Sequence, residues 1–380
     1  MRITHVVENL NRGGLERVVI DLVAQQRRSG HDCQVVCLFE PGQLAPEVVD
    51  LGVPLVSCGK GNGLDLVSMW RLRRALRVHS PETLHTHNAM AHYYAVAASW
   101  GLSMRRINTR HGLANLPFSW KREFLYRLAM KFSDVAAVVC DKARNNFVRY
   151  RILEEGNART VYNGIPVERF APRNAIARRA LLAETGWPAD ALVLGCVARL
   201  NPAKDHGTLL QSVALLRKQV PTVRLAIVGD GPLRAQLVDA ARGLEVADVV
   251  WFSGDRGDVR DLLPGLDVFV LSSVTEGYSI SLLEACASAL PVVATDVGGN
   301  SEIIRDGING YLVAARSPAE LASALVRLAT SEALRLEIGQ RNRQFAEQQG
   351  SVVAMAERYD RLYRDASGMR GGAGQSVDGR

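Results

Sequence analysis

The sequence of 380 residues lacks the run of roughly 18 apolar residues that a membrane-spanning helix requires. Its first apolar stretch is short and ends at Glu8, so no secretory signal is expected and a cytoplasmic location is predicted. The six cysteines are scattered without a Cys-x-x-Cys pair, which favours reduced thiols over a disulfide framework. The complete Gly-x-Gly-x-x-Gly pattern is also absent, which argues against an NAD-dependent enzyme.

Negative charge is in short supply in the first half of the chain. Residues 1–172 contain 23 Lys and Arg against 15 Asp and Glu, whereas residues 173–380 contain 23 against 24. This asymmetry favours an anionic partner such as a phospholipid surface or a lipid diphosphate, although a solvated basic surface explains any single arginine equally well. Nucleic acid is not expected as a partner because no nucleic-acid-binding module is recognisable.

Short β-branched runs alternate with helical patterns along the chain, which is typical of parallel sheets covered by helices on both faces. The length exceeds one ordinary core, and the pattern breaks near residue 170 before it restarts. We therefore predict two doubly wound, Rossmann-like α/β domains, 1–168 and 169–351, that face a central cleft. A C-terminal helix of about 352–366 is expected to pack on the first domain, and the Gly-rich segment 367–380 is expected to be disordered.

The segment 276–284 combines two acids with a helix start. If a helix begins near Ser279, the backbone N–H groups of about residues 278 to 281 form a site for a phosphate or diphosphate. Glu284 is placed to accept from the vicinal hydroxyls of a ribose, and Glu276 from a second sugar. A capped surface helix with two ordinary acids remains the alternative. The candidate donor-binding residues of this segment are Gly277, Tyr278, Ser279, Ile280, Ser281 and Glu284.

Further candidates follow other predicted strands. Arg199 and Lys204 offer two cations that suit a leaving diphosphate, although this spacing is also common in solvated loops. Gly13 and Gly14 lie between the first strand and the first helix, where the backbone can approach a phosphate. His111 follows another strand and is a candidate to hydrogen-bond a sugar hydroxyl, with a satisfied loop histidine as the alternative.

Together these motifs resemble the retaining glycosyltransferase family 4, which has the two-domain GT-B architecture. The resemblance covers nearly the whole chain, and the Glu-x7-Glu stretch with its downstream Pro-Val-Val-Ala-Thr-Asp-Val-Gly-Gly run is its most specific part. It is carried by residues 13–18, 111–112, 163–165, 199–204, 229–232, 276–284, 291–299 and 306–310.

The resemblance implies transfer of a hexosyl unit from a UDP- or GDP-linked sugar to a glycan or lipid-linked acceptor, with retention of anomeric configuration. Arg199 and Lys204 would bind the diphosphate and Glu284 the ribose, while Glu276 and His111 would contact the hexose. No cofactor or metal is expected, because fixed cations take over the role of a metal. Two positions depart from the family pattern, Pro166 in place of Asp and Cys140 in place of Ser.

Two metal hypotheses compete with this reading. His85, His87 and His92 lie close in sequence but lack a carboxylate or thiolate at matching spacing. Asp255 and Asp258 are more typical of a surface turn than of a metal site.

The acceptor is predicted to bind the first domain. Residues 70–77, with four arginines, and residues 120–132, with interleaved aromatic and basic residues, read as amphipathic helices that suit an anionic membrane face. Two ordinary helices that cover the sheet are the alternative. A nucleotide-sugar 2-epimerase and a non-catalytic nucleotide-sugar-binding protein remain as alternative functions.

Overall fold

The chain folds into two compact α/β units in a computed structural model that describes residues 1–113 and 120–368, with the side chains of residues 120 and 366–368 left out. The first unit comprises residues up to 164 together with the C-terminal segment from 352, and the second comprises 165–351. The boundary predicted at 168/169 thus lies four residues beyond the observed one. Each unit has a parallel sheet with helices between successive strands, which confirms the predicted two-domain Rossmann-like fold class.

The first unit contains a seven-stranded parallel sheet in the order β3-β2-β1-β4-β5-β6-β7. Both faces of the sheet are covered by helices, and most strand residues are buried, including polar ones such as His85 and Asn108. The strands are β1 (Arg2–Val7), β2 (Asp32–Cys37), β3 (Leu55–Ser57), β4 (Thr83–His87), β5 (Arg105–Arg110), β6 (Val135–Val138) and β7 (Ala158–Thr160). The helices are α1 (Gly14–Arg28), α2 (Ala45–Asp50), α3 (Leu66–His79), α4 (Asn88–Ala98), α5 (Trp120–Met130) and α6 (Asp141–Arg149).

Cys140, one of the departures from the family pattern, caps helix α6. Its Sγ accepts from the backbone N–H of Ala143 at 3.4 Å, so a thiol serves where a hydroxyl is more usual.

The second unit contains a six-stranded sheet in the order β10-β9-β8-β11-β12-β13. The strands are β8 (Leu192–Val197), β9 (Val223–Val228), β10 (Val250–Gly254), β11 (Val268–Leu271), β12 (Val292–Thr295) and β13 (Tyr311–Val313). The helices are α7 (Ala175–Thr185), α8 (His206–Arg217), α9 (Arg234–Gly243), α10 (Val259–Leu262), α11 (Ile280–Ala287), α12 (Asn300–Ile303), α13 (Pro318–Ala329) and α14 (Glu332–Gln348).

The last helix, α15 (Val352–Gly368), packs against α1 and β5 of the first unit. Its apolar face is buried, and two hydroxyls on that face bond to the first unit. The Tyr359 hydroxyl lies 3.0 Å from the Thr109 hydroxyl of β5, and the Tyr363 hydroxyl accepts from Gln26 Nε2 of α1 at 3.1 Å. The segment predicted to be disordered, 367–380, therefore starts inside this helix, and residues 369–380 lie outside the described part of the chain.

All six cysteines are buried, and none of them forms a disulfide. Within residues 1–113 and 120–368, no helix combines the length and apolar character needed to cross a bilayer.

Candidate active site

The strongest candidate site lies at the carboxyl edge of the second sheet, where ligands bind in doubly wound folds. Lys204 follows β8 and Glu276 follows β11, and these two strands are neighbours in the sheet. The Lys204 ammonium lies 2.5 Å from Glu276 Oε1, and the Ser273 hydroxyl donates to the same oxygen at 2.6 Å. Two residues that the sequence assigns to different parts of one ligand therefore form an ion pair with each other.

Main-chain geometry holds Lys204 in place. Asn201 Oδ1 accepts from the N–H of Ala203 and caps a short 3-10 turn over Pro202–Lys204. Asp205 follows with φ of 45°, a left-handed conformation that reverses the chain, and its carboxylate then caps α8 through the N–H of Thr208. The lysine thus sits at a rigid corner between strand and helix.

Helix α11 begins as the sequence predicts. Ser279 is its N-cap, and the Ser279 hydroxyl accepts from the N–H of Leu282 at 3.4 Å. The N–H groups of Ile280 and Ser281 have no acceptor within the helix, because the first turn of any helix leaves its amides unpaired. They carry the positive end of the helix dipole and can bind an anion.

The remaining donor candidates surround this helix start. Gly277 precedes it, and its carbonyl oxygen accepts from the N–H of Gly299 at 2.7 Å. Tyr278 is buried, whereas Glu284 lies half-buried in the second turn of α11. Arg199 leaves the end of β8 with an exposed side chain.

Two glycines outside the predicted site shape the Arg199 loop. A Cβ on Gly229, which has φ of 133°, would lie 2.2 Å from the carbonyl oxygen of Ala198. A Cβ on Gly231 would lie 2.4 Å from the carbonyl oxygen of Leu200. The chain after β9 therefore packs directly on the chain after β8. The Gly229–Pro232 motif signalled this contact, but sequence reasoning gave it no structural role.

In the first unit, Gly13 is the N-cap residue of α1 and Gly14 its first residue. Gly13 has an extended backbone with φ of −175°, and a Cβ there would lie 2.3 Å from a carboxylate oxygen of Glu16. Burial raises the pKa of this Glu16 carboxyl, which folds back toward the helix start. An acidic side chain thus already lies at the turn that the sequence assigns to phosphates.

His111 lies just beyond the carboxyl end of β5. Its Nε2 is 3.1 Å from His87 Nδ1, and burial lowers the pKa of the His111 imidazole to about 3. The ring is therefore neutral at physiological pH and can only hydrogen-bond, not supply charge.

The histidines that lie together in the structure differ from those that the sequence grouped as a possible metal site. His92 points elsewhere and is bonded to the Thr86 and Ser133 hydroxyls. His5 takes its place, and one nitrogen each of His5, His85 and His87 lie within 4.8 Å of one another. His5 and His87 bond to each other, and the other ring nitrogens of the three histidines bond to Gln26, Thr109, Tyr363 and His111.

Asp258, one of the two residues of the second metal hypothesis, pairs with an arginine. Arg256 lies between Asp258, at 2.6 Å, and Glu184, at 2.5 Å, so the Asp258 carboxylate is part of a surface ion-pair group. The Arg256 guanidinium lowers the pKa of Asp258.

Two sequence families match this chain, one in each half. Residues 12–169 match the family described as Glycosyltransferase Family 4, and residues 191–331 match Glycosyl transferases group 1. The chain belongs to glycosyltransferase family 4.

This glycosyltransferase is similar to named relatives along most of its length. It is 29% identical to EpsF of Bacillus subtilis (strain 168) over 306 residues, which cover 78% of this chain and 79% of EpsF. It is 26% identical to N-acetyl-alpha-D-glucosaminyl L-malate synthase of Bacillus anthracis, with 93% and 94% of the two chains covered.

The fold of the glycosyltransferase also matches a solved structure, that of Anabaena Alr3699/HepE in complex with UDP. The TM-score is 0.85 at 20% identity, and the match covers 96% of this chain and all of that one. This glycosyltransferase thus has the GT-B fold that the sequence predicted.

Proposed function

We propose that this glycosyltransferase moves a hexosyl unit from a nucleoside-diphosphate sugar, UDP- or GDP-linked, to a glycan or lipid-linked sugar acceptor, with retention of configuration. The observation that carries the proposal is the joining of Lys204, Glu276 and the start of α11 at one sheet edge. A cation, a carboxylate and a helix N-terminus together suit a ligand that is both anionic and polyhydroxylated. UDP in the similarly folded Alr3699/HepE is in keeping with such a donor.

The proposed roles follow from position. Lys204, Arg199 and the amides of Ile280 and Ser281 bind the diphosphate and stabilise the charge that grows on it as it leaves. Glu284 holds the ribose. The amides need no metal to act on an anion, and the proposal includes neither a metal nor another cofactor.

Glu276 suits a binding role better than a covalent one. The same Oε1 oxygen accepts from both Lys204 and Ser273, so it is oriented and partly neutralised rather than poised to attack an anomeric carbon. We favour a reaction on one face of the sugar. The bond from the anomeric carbon to the diphosphate oxygen breaks, the acceptor oxygen bonds to that carbon from the same side, and the acceptor proton passes to the departing oxygen.

A thermal-shift panel of UDP-, GDP- and ADP-sugars tests the donor assignment. A true donor stabilises the folded state by mass action, by about 2.7 kcal/mol at a hundredfold excess over its Kd. Lys204→Ala should reduce the shift. Lys218→Ala, which removes an exposed lysine at the far end of α8, should preserve it.

Radiolabelled nucleotide sugars incubated with lipid extracts test the reaction. Transfer to an acceptor, with an α-linked product from an α-linked donor, is expected. Release of a free epimerised sugar would instead identify an epimerase, and binding without turnover would identify a non-catalytic protein.

We also propose that the acceptor lies at a membrane surface. The support for this is one exposed surface of the first unit. Helix α3 exposes large apolar side chains, with Leu66 at 70% and Trp70 at 60% exposure, and Trp100 beyond α4 is 64% exposed. Arg74 stacks over the Trp70 ring at 5.8 Å. Exposed aromatic and basic groups in one place suit the interface of an anionic bilayer.

The four arginines of α3 are not equivalent on this surface. Arg73 donates to the carbonyl oxygens of Ala98 and Trp100, and Arg71 donates to that of Cys58, so both serve the fold. A binding test should therefore change only Arg74 and Arg77. Arg74→Gln/Arg77→Gln is expected to weaken binding to anionic vesicles but not to neutral ones, and unchanged binding to anionic vesicles would contradict membrane docking.

A further inference from the structure

A glutamine and three histidines of the first unit form a hydrogen-bonded chain, here called the histidine chain. Gln26 Oε1 lies 2.8 Å from His5 Nε2, His5 Nδ1 lies 3.1 Å from His87 Nε2, and His87 Nδ1 lies 3.1 Å from His111 Nε2. Gln26, His5 and His87 are almost fully buried. The chain crosses the neighbouring strands β1, β4 and β5 toward the carboxyl edge of the sheet.

The imidazoles of the histidine chain are neutral. Burial lowers the pKa of His5 to about 4 and that of His111 to about 3, and it lowers the pKa of His87 well below the usual range. A neutral imidazole carries one N–H and one lone pair. In a row of such rings each bond must point the same way, so the direction at one end fixes every tautomer.

Gln26 sets that direction. Its Nε2 donates to the Tyr363 hydroxyl at 3.1 Å, which leaves Oε1 as the atom that faces His5. The amide oxygen can only accept, so His5 carries its proton on Nε2. The Nδ1 lone pair of His5 then accepts from His87 Nε2–H, and His87 Nδ1 accepts from His111 Nε2–H.

The last nitrogen of the chain, His111 Nδ1, is left with a lone pair. This atom is buried, and residues 1–113 and 120–368 provide no hydrogen-bond partner for it. It lies just past the end of β5, at the edge of a doubly wound sheet where ligands bind. An internal group that satisfied it would be expected if the chain served stability alone.

We propose that Gln26, His5 and His87 are positioning residues that hold His111 in the Nε2–H tautomer, so that His111 Nδ1 accepts a hydrogen bond from a hydroxyl of the bound sugar. Only the identity of that ligand rests on the proposed function. Because the ring accepts and stays neutral, it selects a group that can donate. A sugar hydroxyl can donate to His111 Nδ1, whereas a fluorine or a methoxy group in place of that hydroxyl cannot.

The tautomer can be measured without any ligand, on the full-length protein labelled with 15N in its histidine rings. Nitrogen chemical shifts separate a protonated from an unprotonated ring nitrogen, and a His111→Gln sample assigns the signals. The wild-type protein should show His111 protonated at Nε2 alone near neutral pH. A proton on Nδ1, or a mixture of tautomers, would overturn the proposal.

Variants at the far end of the chain test the cause. Gln26→Leu removes the acceptor that sets the direction, so His111 should become a mixture of tautomers. His92→Phe removes a buried histidine outside the chain and should leave His111 unchanged. A His111 signal that is unchanged in Gln26→Leu would refute the positioning role. Failure to transfer any sugar would defeat the proposed function while leaving this tautomer result intact.

Discussion

Replacing Glu276 by Gln removes the counter-charge of Lys204 and changes the side-chain shape very little. The Lys204 ammonium is held 2.5 Å from the Glu276 carboxylate, so a diphosphate that binds Lys204 must compete with Glu276. Glu276→Gln should therefore bind the nucleoside diphosphate more tightly than the wild type. Lys204→Ala should bind it more weakly, yet both variants should lose transfer activity, because in the proposed reaction Lys204 binds the leaving diphosphate and Glu276 the hexose.

The size of the effect follows from the exposure of the pair, 22% for the Lys204 side chain and 9% for Glu276. Unit charges about 4 Å apart interact by about 1 kcal/mol in water and about 4 kcal/mol at the effective dielectric constant of a protein surface. Partial exposure favours the lower part of that range, so we expect a gain of about 1–2 kcal/mol. This corresponds to nucleotide binding that is roughly 5- to 30-fold tighter.

Calorimetric titration of UDP, GDP and ADP into the three proteins measures the prediction directly, with Lys218→Ala as the matched control. The difference in affinity between the variants and the wild type should be larger at low salt, because added ions screen the charge interactions. Weaker binding of every nucleotide to Glu276→Gln, or unchanged binding to Lys204→Ala, would refute the idea that the two side chains compete for one diphosphate.

Three further predictions concern stability. Gly231→Ala places a Cβ 2.4 Å from the Leu200 carbonyl oxygen and should cost about 1–3 kcal/mol in thermal unfolding, whereas Gly257→Ala meets no atom within 4 Å and should be neutral. Asp267→Asn should cost about 3–5 kcal/mol in urea unfolding because this buried carboxylate pairs with two arginines. Asp248→Asn, in an exposed pair, should cost about 1 kcal/mol or less, and equal losses would contradict the burial argument. The first unit should lose stability as the pH falls below about 6.5, by about 1.4 kcal/mol per pH unit for each of five buried histidines. Burial lowers the pKa of these histidines in the folded protein, so only the unfolded chain gains protons over this range. The five histidines are His5, His85, His87, His92 and His111. A urea midpoint that stays constant between pH 7.5 and 5.5 would contradict this pH prediction.

The sheets were largely predictable from the sequence because parallel strands buried on both faces are continuous apolar runs. Strands such as β9 (Val223–Val228) stand out for this reason. Two strands at the edges of the first sheet were missed, β3 (Leu55–Ser57) and β7 (Ala158–Thr160). Each has three residues that are mostly half-buried, so neither a long apolar run nor an alternation marks it.

The predicted site residues of the second unit were found at one sheet edge, but their pairing was not foreseen. Spacing along the chain cannot reveal an ion pair between residues 72 positions apart, because it depends on β8 and β11 being neighbours. The histidine chain was not predicted, for the same reason. Proximity in sequence grouped His92 with His85 and His87, whereas the sheet register sets His5 opposite His85. Parallel pairing of the first and fourth strands was the signal that could have found it.

Hydroxyl groups join the three loops that form the proposed donor site. The Ser272 hydroxyl donates to the carbonyl oxygens of Lys204 and Asp205, which ties the loop after β11 to the loop after β8. Thr295, at the end of β12, donates to the carbonyl oxygen of Ser273 at 2.6 Å and ties in the third loop. Each bond joins a side chain to a backbone carbonyl, so the main-chain corners that carry Lys204 and Glu276 are fixed independently of the charges they bear. A ligand that separates the ion pair therefore has to move two side chains and not the loops, which is the preorganisation that an electrostatic site requires.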